Sequence, residues 1–540
     1  MTDTFPAPSR LLLATGLLAK WALRLVAGGW LLLALVWVAL HFVIVPRIDA
    51  LRPWLEEQAS RTLGTVVRIG SISAQSNGLI PSVELRGVQV LDAQGHAALE
   101  LSSVIAAVSP RSLLAGGLEQ LYIDSPVLDV QRKADGVIWI GGFALPQTDS
   151  GDSAAADWIF SQPELAIRHG TLRWTDALRD APPLELSDVD VVLRNRHFTH
   201  SLRINADPPA HWGERLSLQG VFTQPLWALH SGRLQDWQGQ WYTAFNRLDW
   251  AQLRPYLDVG VDISQGRGSL RAWVDVKRGV LTGGTADVLL DDVHLGQGAQ
   301  QQVLRRAAGR LAVKDLGGGH EFSTEGLQFE TAEGIRWPGG NARLALWDGA
   351  DGSDSSKTKG AKLPRGEFSA DRLDVTVLGQ LAQRLPIDAA LRTALQSYKP
   401  VGVVQSVQGG WTGPLAAPAT YALKGRVTQA ALAAQPGATP GFAGLDLDLE
   451  LTQSGGKARL AMANASLDLP GWFAEPVLPF AQLSADVQWK KDGPRLNAAV
   501  TNLRFANADA QGEVQQIKWA NHDASGALLA GPACWTCRPA

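Results

Sequence analysis

The sequence predicts a mainly β protein: an N-terminal transmembrane helix followed by an extended antiparallel sheet with a few short helices. Three observations carry this prediction. Leu25–Val45 (LVAGGWLLLALVWVALHFVIV) is a single apolar run without a formal charge. From Val66 onward the apolar period is two instead of 3.6. Gly, Asp-Gly and Ser-Pro punctuation then divides the chain into short segments.

At about 1.5 Å per residue the first run makes a helix of roughly 31 Å, matching a hydrocarbon core of about 30 Å. Leu25, Trp30, Leu35, Leu40 and Val45 are its anchor residues. A cleaved signal core is about 7 to 15 residues long and ends in small residues. This run ends in Val43, Ile44, Val45, Pro46 and Arg47, so it reads as a retained anchor. Arg10, Lys20 and Arg24 on one side are balanced by Arg47, Arg52, Arg61 and Arg68 on the other, and charge alone leaves both orientations open.

Beyond the anchor, Ile48, Leu51, Leu55, Ala59 and Leu63 recur near helical spacing, and Gly64 ends that helix. Strands follow: VRIGSISAQ, PSVELRGVQVLD, LELSSVIAAVS, EQLYIDSPVLDVQRK and DGVIWIGG. The clearest alternation is Leu445, Leu447, Leu449 and Leu451 against Asp446, Asp448 and Glu450, which gives a strand one apolar and one charged face. Leu270, Val274 and Val276, Leu172 and Trp174, and Leu216 and Leu218 repeat the pattern. Antiparallel sheets with one solvated face have such sequences.

Val83 and Leu85 fall out of phase with Val88 and Val90, and Leu184 and Leu186 with Val189 and Val191, which predicts bulges or bends between them. A short helix is expected over Leu248–Leu257. Val377–Tyr398 reads as two helices divided at Pro386, the second capped near Asp388. Pro146–Ala156, Asp348–Gly366 and Ala433–Gly441 read as exposed loops. At 10 to 15 residues per strand and turn, the body would hold roughly 30 to 45 strands.

Composition excludes some functions. A net charge of −3 supplies no basic field for nucleic acid. The two cysteines, Cys534 and Cys537, lie at the end of the chain, so the body has no disulfide framework; without a second ligand pair or a βα context they read as incidental. Twenty Trp against five Tyr suit a large apolar core or a lipid-facing surface. No Walker A loop, GxGxxG, GxSxG, HExxH or EF-hand loop occurs. His197 and His200 would point to opposite faces of a strand, His320-Glu321 lacks a second zincin His, and the Asp446 row spaces its oxygens too widely for calcium. We therefore expect no catalytic residues, cofactor or metal. On their own, the apolar strand faces read as the interior of an ordinary sandwich.

The block Pro46–Gly142, with its short helix ending RTLG and the strands quoted above, resembles the start of the YhdP branch of the AsmA-like proteins. So do GSLRAWVDVKRG at Gly268–Gly279, GIRWPGGNARLAL at Gly334–Leu346, and LPIDAALRTAL with KPVGVVQSVQGGWTG between Leu385 and Gly413. The resemblance implies a bacterial inner-membrane anchor with a cytoplasmic N-terminus, and a periplasmic body of repeated β units curved into a taco-like groove. It also implies phospholipid as ligand, transport towards the outer membrane, and outer-membrane or other envelope proteins as further partners.

The expected organisation is a cytoplasmic tail (1–24), the anchor (25–45), a juxtamembrane amphipathic helix (46–64), the groove body (65–512) and an atypical tail (513–540). The tail departs from the family text and reads as a truncated or frame-shifted end. On this reading the groove is lined by Val83, Leu85, Leu172, Trp174, Leu216, Leu218, Leu270, Val274, Val276, Leu445, Leu447, Leu449 and Leu451. Two other readings stand beside it: a non-transporting envelope scaffold or assembly factor with closed cores, and a membrane-bound hydrolase, which would need a convergent pair of carboxylates.

Overall fold

The computed structural model describes residues 10–39, 42, 49–63, 65–75, 82–91, 95–107, 109, 112, 117–141, 143–144, 154–228, 230–256, 262–296, 301–349, 363–382, 389–435, 440–471, 474–523, 528 and 534–539. Over these residues the protein is mainly β, with 27 strands and a few helices.

Helix α1 (Arg10–Ala39) contains Ala19–Ala39, among the described residues the one stretch long and apolar enough to cross a membrane. Leu25, Trp30 and Leu35 are exposed on its surface. Leu40 and Val45 lie outside the described residues. The helix begins before the apolar run because the preceding LLLATGLL is itself rich in helix formers. Helix α2 (Arg52–Leu63) buries its expected face: Leu55 and Ala59, with Leu51 just before the helix, pack against the first strands. Its polar edge is pinned as well, Ile69 N donating to Glu56 Oε1 at 2.8 Å and Arg52 Nη1 to Gly70 O at 2.9 Å.

The chain divides into two units, Met1–Thr243 with Val276–Val280, and Ala244–Asp275 with Leu281–Ala540. In the first, β1 (Val67–Gln75), β2 (Ser82–Leu91), β3 (Ala97–Ala107) and β4 (Gln120–Asp124) form an antiparallel meander. β5 (Val127–Arg132), β6 (Ile138–Ile140), β7 (Phe143–Ala144) and α3 (Ala154–Ser161) follow. β8 (Glu164–Asp176) then returns parallel to both β4 and β5, a departure from the purely antiparallel expectation. A parallel neighbour requires a crossover, and the segment holding β6, β7 and α3 provides it. Arg132 locks the crossover with a two-pronged ion pair to Asp176, whose side chain is 2% exposed. β9 (Ala181–Arg196), β10 (Thr199–Asp207) and β11 (Leu216–Thr223) extend the ladder antiparallel.

The boundary between units falls within β12 (Gln238–Asp249). Helix α4 (Trp250–Leu253) follows, its first turn capped by the Asp249 carboxylate. The second unit continues with β13 (Ile263–Lys277), β14 (Val280–Leu295), β15 (Gln302–Asp315), β16 (Gly319–Thr331), β17 (Arg336–Trp337), β18 (Ala342–Trp347) and β19 (Arg365–Asp374). Helices α5 (Val375–Leu381) and α6 (Ala389–Tyr398) stand where the split pair was expected; residues 383–388, including Pro386, lie outside the described residues. The last strands are β20 (Val401–Thr412), β21 (Thr420–Leu432), β22 (Gly441–Thr452), β23 (Gly455–Asp468), β24 (Val477–Asp492), β25 (Arg495–Ala506), β26 (Gln511–Ala520) and β27 (Cys534–Pro539). From β14 onward each strand pairs antiparallel with the next, with β17 a short spur on β16.

Both predicted phase slips fall at backbone irregularities, a bend without a register shift at Gly87 and a bulge between β8 and β9. Gly87, at φ 63°, resets the alternation of β2, so that Val83 and Leu85 before it and Val88 after it all reach one buried cluster. Asp188 (φ 45°) and His169 (φ 53°) lie where the register between β8 and β9 shifts. Gln429 (φ 54°) lies at such a shift in β21, where Val427 opposes Leu447 but Ala430 opposes Leu445. A strand can then run to 16 residues while keeping its apolar residues on one side, so the strands among the described residues are longer than a simple period-two reading counts.

Candidate functional site

Residues directly opposite on paired strands share a face, so the registers show which apolar positions line up. In the first unit Ile72, Leu85, Val104, Ile123, Ile167, Val191, Ile204 and Leu218 are successive partners from β1 through β4 and β8 to β11. A second row beside it runs Ala74, Val83, Ala106, Leu121, Leu165, Leu193, Leu202 and Gly220. No polar side chain interrupts either row.

The second unit repeats this over about a dozen strands. Gly284, Val313, Phe322, Leu344, Phe368, Gly409, Leu423, Leu451, Gly456, Trp489, Ala498 and Trp519 are partners in sequence from β14 to β26. Beside them run Gly425, Leu449, Ala458, Val487, Val500 and Ile517. Glycines here make room for rings. A Cβ on Gly456 would stand 2.5 Å from the Trp489 ring, and one on Gly366 only 2.1 Å from Trp411, its partner across the ladder. Large rings therefore lie flat over glycines of the adjacent strand.

Part of this face is open. Phe322 is 48% exposed, Val313 42%, and Leu311 and Tyr421 39% each, high values for large side chains in the middle of a sheet. Part is closed, since Ala430, Leu445, Met462 and Ala465 form a buried cluster beyond the bulges. In the first unit Ile69, Ile72, Val88 and Val104 are buried beneath Leu51, Leu55, Ala59 and Trp158. Trp237 stacks on His200 at 4.3 Å and meets Phe160 edge-on at 4.8 Å. Burial pushes the His200 imidazole below its usual range, and its Nδ1 lies 2.7 Å from Asn195 Oδ1.

The opposite face is charged and paired across strands. Arg426 Nε meets Asp448 at 2.9 Å, Arg459 meets Asp486 at 3.1 Å, and Glu450 lies between Lys457 at 2.8 Å and Lys424 at 3.0 Å. Hydrogen bonds from Lys457 and Lys424 hold the Glu450 carboxyl below its ordinary range; Asn502 and then Arg459 do the same for Asp486. Asp446 accepts from the bulge amide of Gln429 at 2.9 Å. The three carboxylates of β22 are thus satisfied separately. An open trough of about 1750 Å³ extends over β19–β26, its lining taking in Phe368, Leu423, Leu451, Trp489 and Trp519 with Lys424, Lys457 and Gln488. Among the described residues no group of three His, Cys, Asp or Glu side chains could hold a metal ion.

The structure distributes the sequence-selected lining residues as follows. Leu449 and Leu451 stand half-buried in the second-unit rows, Leu447 packs against the closed cluster, and Leu445 is buried within it. Leu218 belongs to the first-unit row, with Leu216 opposite Ala206. Leu172 faces Leu128 and Leu186, and Trp174 faces Val130 and Leu184. Val83 and Leu85 pack on the first cluster. Leu270, Val274 and Val276 share one half-buried face of β13. Sequence reasoning missed Phe322, Leu423, Trp489 and the ring-over-glycine pairs, since their alignment depends on register. It also missed α3.

A family profile described as YhdP protein matches residues 6–530. No curated protein and no solved structure matches.

Proposed function

The chain belongs to the YhdP protein family, and from that premise we propose that it is an inner-membrane-anchored periplasmic conduit, shielding phospholipid acyl chains on its apolar sheet face during transport towards the outer membrane. The observation that carries this is the uninterrupted apolar row from Gly284 to Trp519 with exposed members such as Phe322.

A sixteen-carbon tail carries about 12 kcal/mol of transfer free energy at about 0.8 kcal/mol per methylene, so crossing water uncovered is prohibitive. A dozen strands about 4.8 Å apart give roughly 50 Å of apolar surface. One leaflet's tails occupy about half of a 30 Å core, so the row exceeds a single tail about threefold. A tail sliding along it exchanges apolar contacts for apolar contacts, and each step costs little. The charged face stays in water. Direction and energy come from elsewhere, and no catalytic step is part of this function.

The test is crosslinking of full-length protein in vesicles containing a phospholipid with a diazirine in one acyl chain, with adducts mapped by mass spectrometry. Adducts on both α1 and the apolar rows are expected. Adducts confined to α1 would refute the conduit. The scaffold reading is favoured only by the closed clusters around Leu445 and Ile72.

A further inference from the structure

We infer that α3 is a displaceable cover on the apolar face of the first unit, and that a lipid acyl chain takes its place when that face is loaded. The inference rests on the conduit reading and adds a regulated step to it.

Trp158 of α3 packs on the cluster holding Leu121 and Val104, alongside Leu165. Two residues later Phe160 reaches Trp237. The helix therefore lays Trp158 on the first-unit cluster and Phe160 against Trp237, whereas the apolar row of the second unit keeps exposed members such as Phe322 and Val313. It is too short to persist without those contacts.

What fixes it besides apolar packing is a polar clasp. The Asp157 carboxylate accepts from Gly232 N at 2.7 Å and lies 2.7 Å from His230 Nδ1. At the other end Gln162 Oε1 accepts from Leu118 N at 2.7 Å. The His230 side chain is 54% exposed, so water competes directly for the Asp157 end. A tail replacing Trp158 and Phe160 substitutes one apolar contact for another; the hydrogen bonds at Asp157 then set the balance towards the covered state.

The test uses the full-length chain in vesicles of phosphatidylethanolamine and phosphatidylglycerol, with Cys534→Ser and Cys537→Ser removing the native thiols. Asp157→Cys with Gly232→Cys locks the clasp as a disulfide, and benzoylphenylalanine replaces Leu165 or, in a parallel sample, Leu449. The expected result is at least tenfold less phospholipid adduct at position 165 in the oxidised form, restored by dithiothreitol. Separately, Asp157→Asn should raise that adduct severalfold. Equal adduct at 165 in both redox states, with adduct present at 449, overturns the cover and leaves the conduit standing. No adduct at 165 or 449 in the reduced form overturns both.

Discussion

A charge placed in the apolar row should block it, and Leu449→Lys is the sharpest form of that perturbation. Leu449 lies between Gly425 and Ala458 on the neighbouring strands, two small residues that leave its side chain the main bulk at that point of the row. It is half-buried, so its loss removes roughly half of the 1.5–3 kcal/mol available from a fully buried leucine, about 1 kcal/mol of stability. The effect on transport is larger. A tail passing over the ammonium group must cover an unpaired charge, a cost of several kcal/mol. At about 1.4 kcal/mol per factor of ten, 3 kcal/mol slows passage roughly 100-fold. Ala463→Lys, an exposed position on the charged face of β23, is the matched control. The assay is transfer of labelled phospholipid from vesicles carrying the full-length chain to acceptor vesicles. Equal rates for the two lysine variants would refute the reasoning, as would a Leu449→Lys rate matching the unmodified chain.

Three further outcomes are expected. Gly456→Ala should lower thermal stability by about 1–3 kcal/mol, read as a fall in Tm, since its Cβ would meet both the Trp489 ring and the Glu450 carbonyl within 2.6 Å. Asp176→Ala should cost about 3 kcal/mol in denaturant unfolding, because it strands Arg132 at the β5–β8 crossover; Asp486→Ala, at an exposed pair, should cost far less. The carboxyls of Glu450 and Asp486 sit below their unfolded values, so the unfolded chain binds more protons in the intervening range. Their contribution is complete above the ordinary carboxylate range and is lost as pH falls through the lowered folded values. Glu450→Gln should therefore flatten the acid limb of a Tm-against-pH curve without changing the slope near pH 7.

Local pattern was highly legible in this chain. VRIGSISAQ is β1 residue for residue, and the leucine-carboxylate alternation of β22 gave its two faces directly. The slips at Gly87 and before Val189 forecast a bend or a bulge because an unbroken period of two would put the two halves of the strand on opposite sides. What stayed hidden depends on partners distant in sequence. Ala154–Ala156 sit at the end of a run rich in Pro, Asp, Ser and Gly, so α3 read as loop; its stability comes from Trp158 and Phe160 meeting residues up to 77 positions away. The parallel pairing of β8 is a matter of topology, which alternation does not encode. Gly456 and Trp489 are an ordinary glycine and tryptophan until register places one over the other.

The most direct test of the central claim is a scan of single benzoylphenylalanine substitutions at positions 446 to 451 of β22, in the full-length chain in phospholipid vesicles. The account predicts lipid adducts with a period of two, strong at 447, 449 and 451 and absent at 446, 448 and 450. Adducts at every position, at none, or on the carboxylate side alone would contradict it.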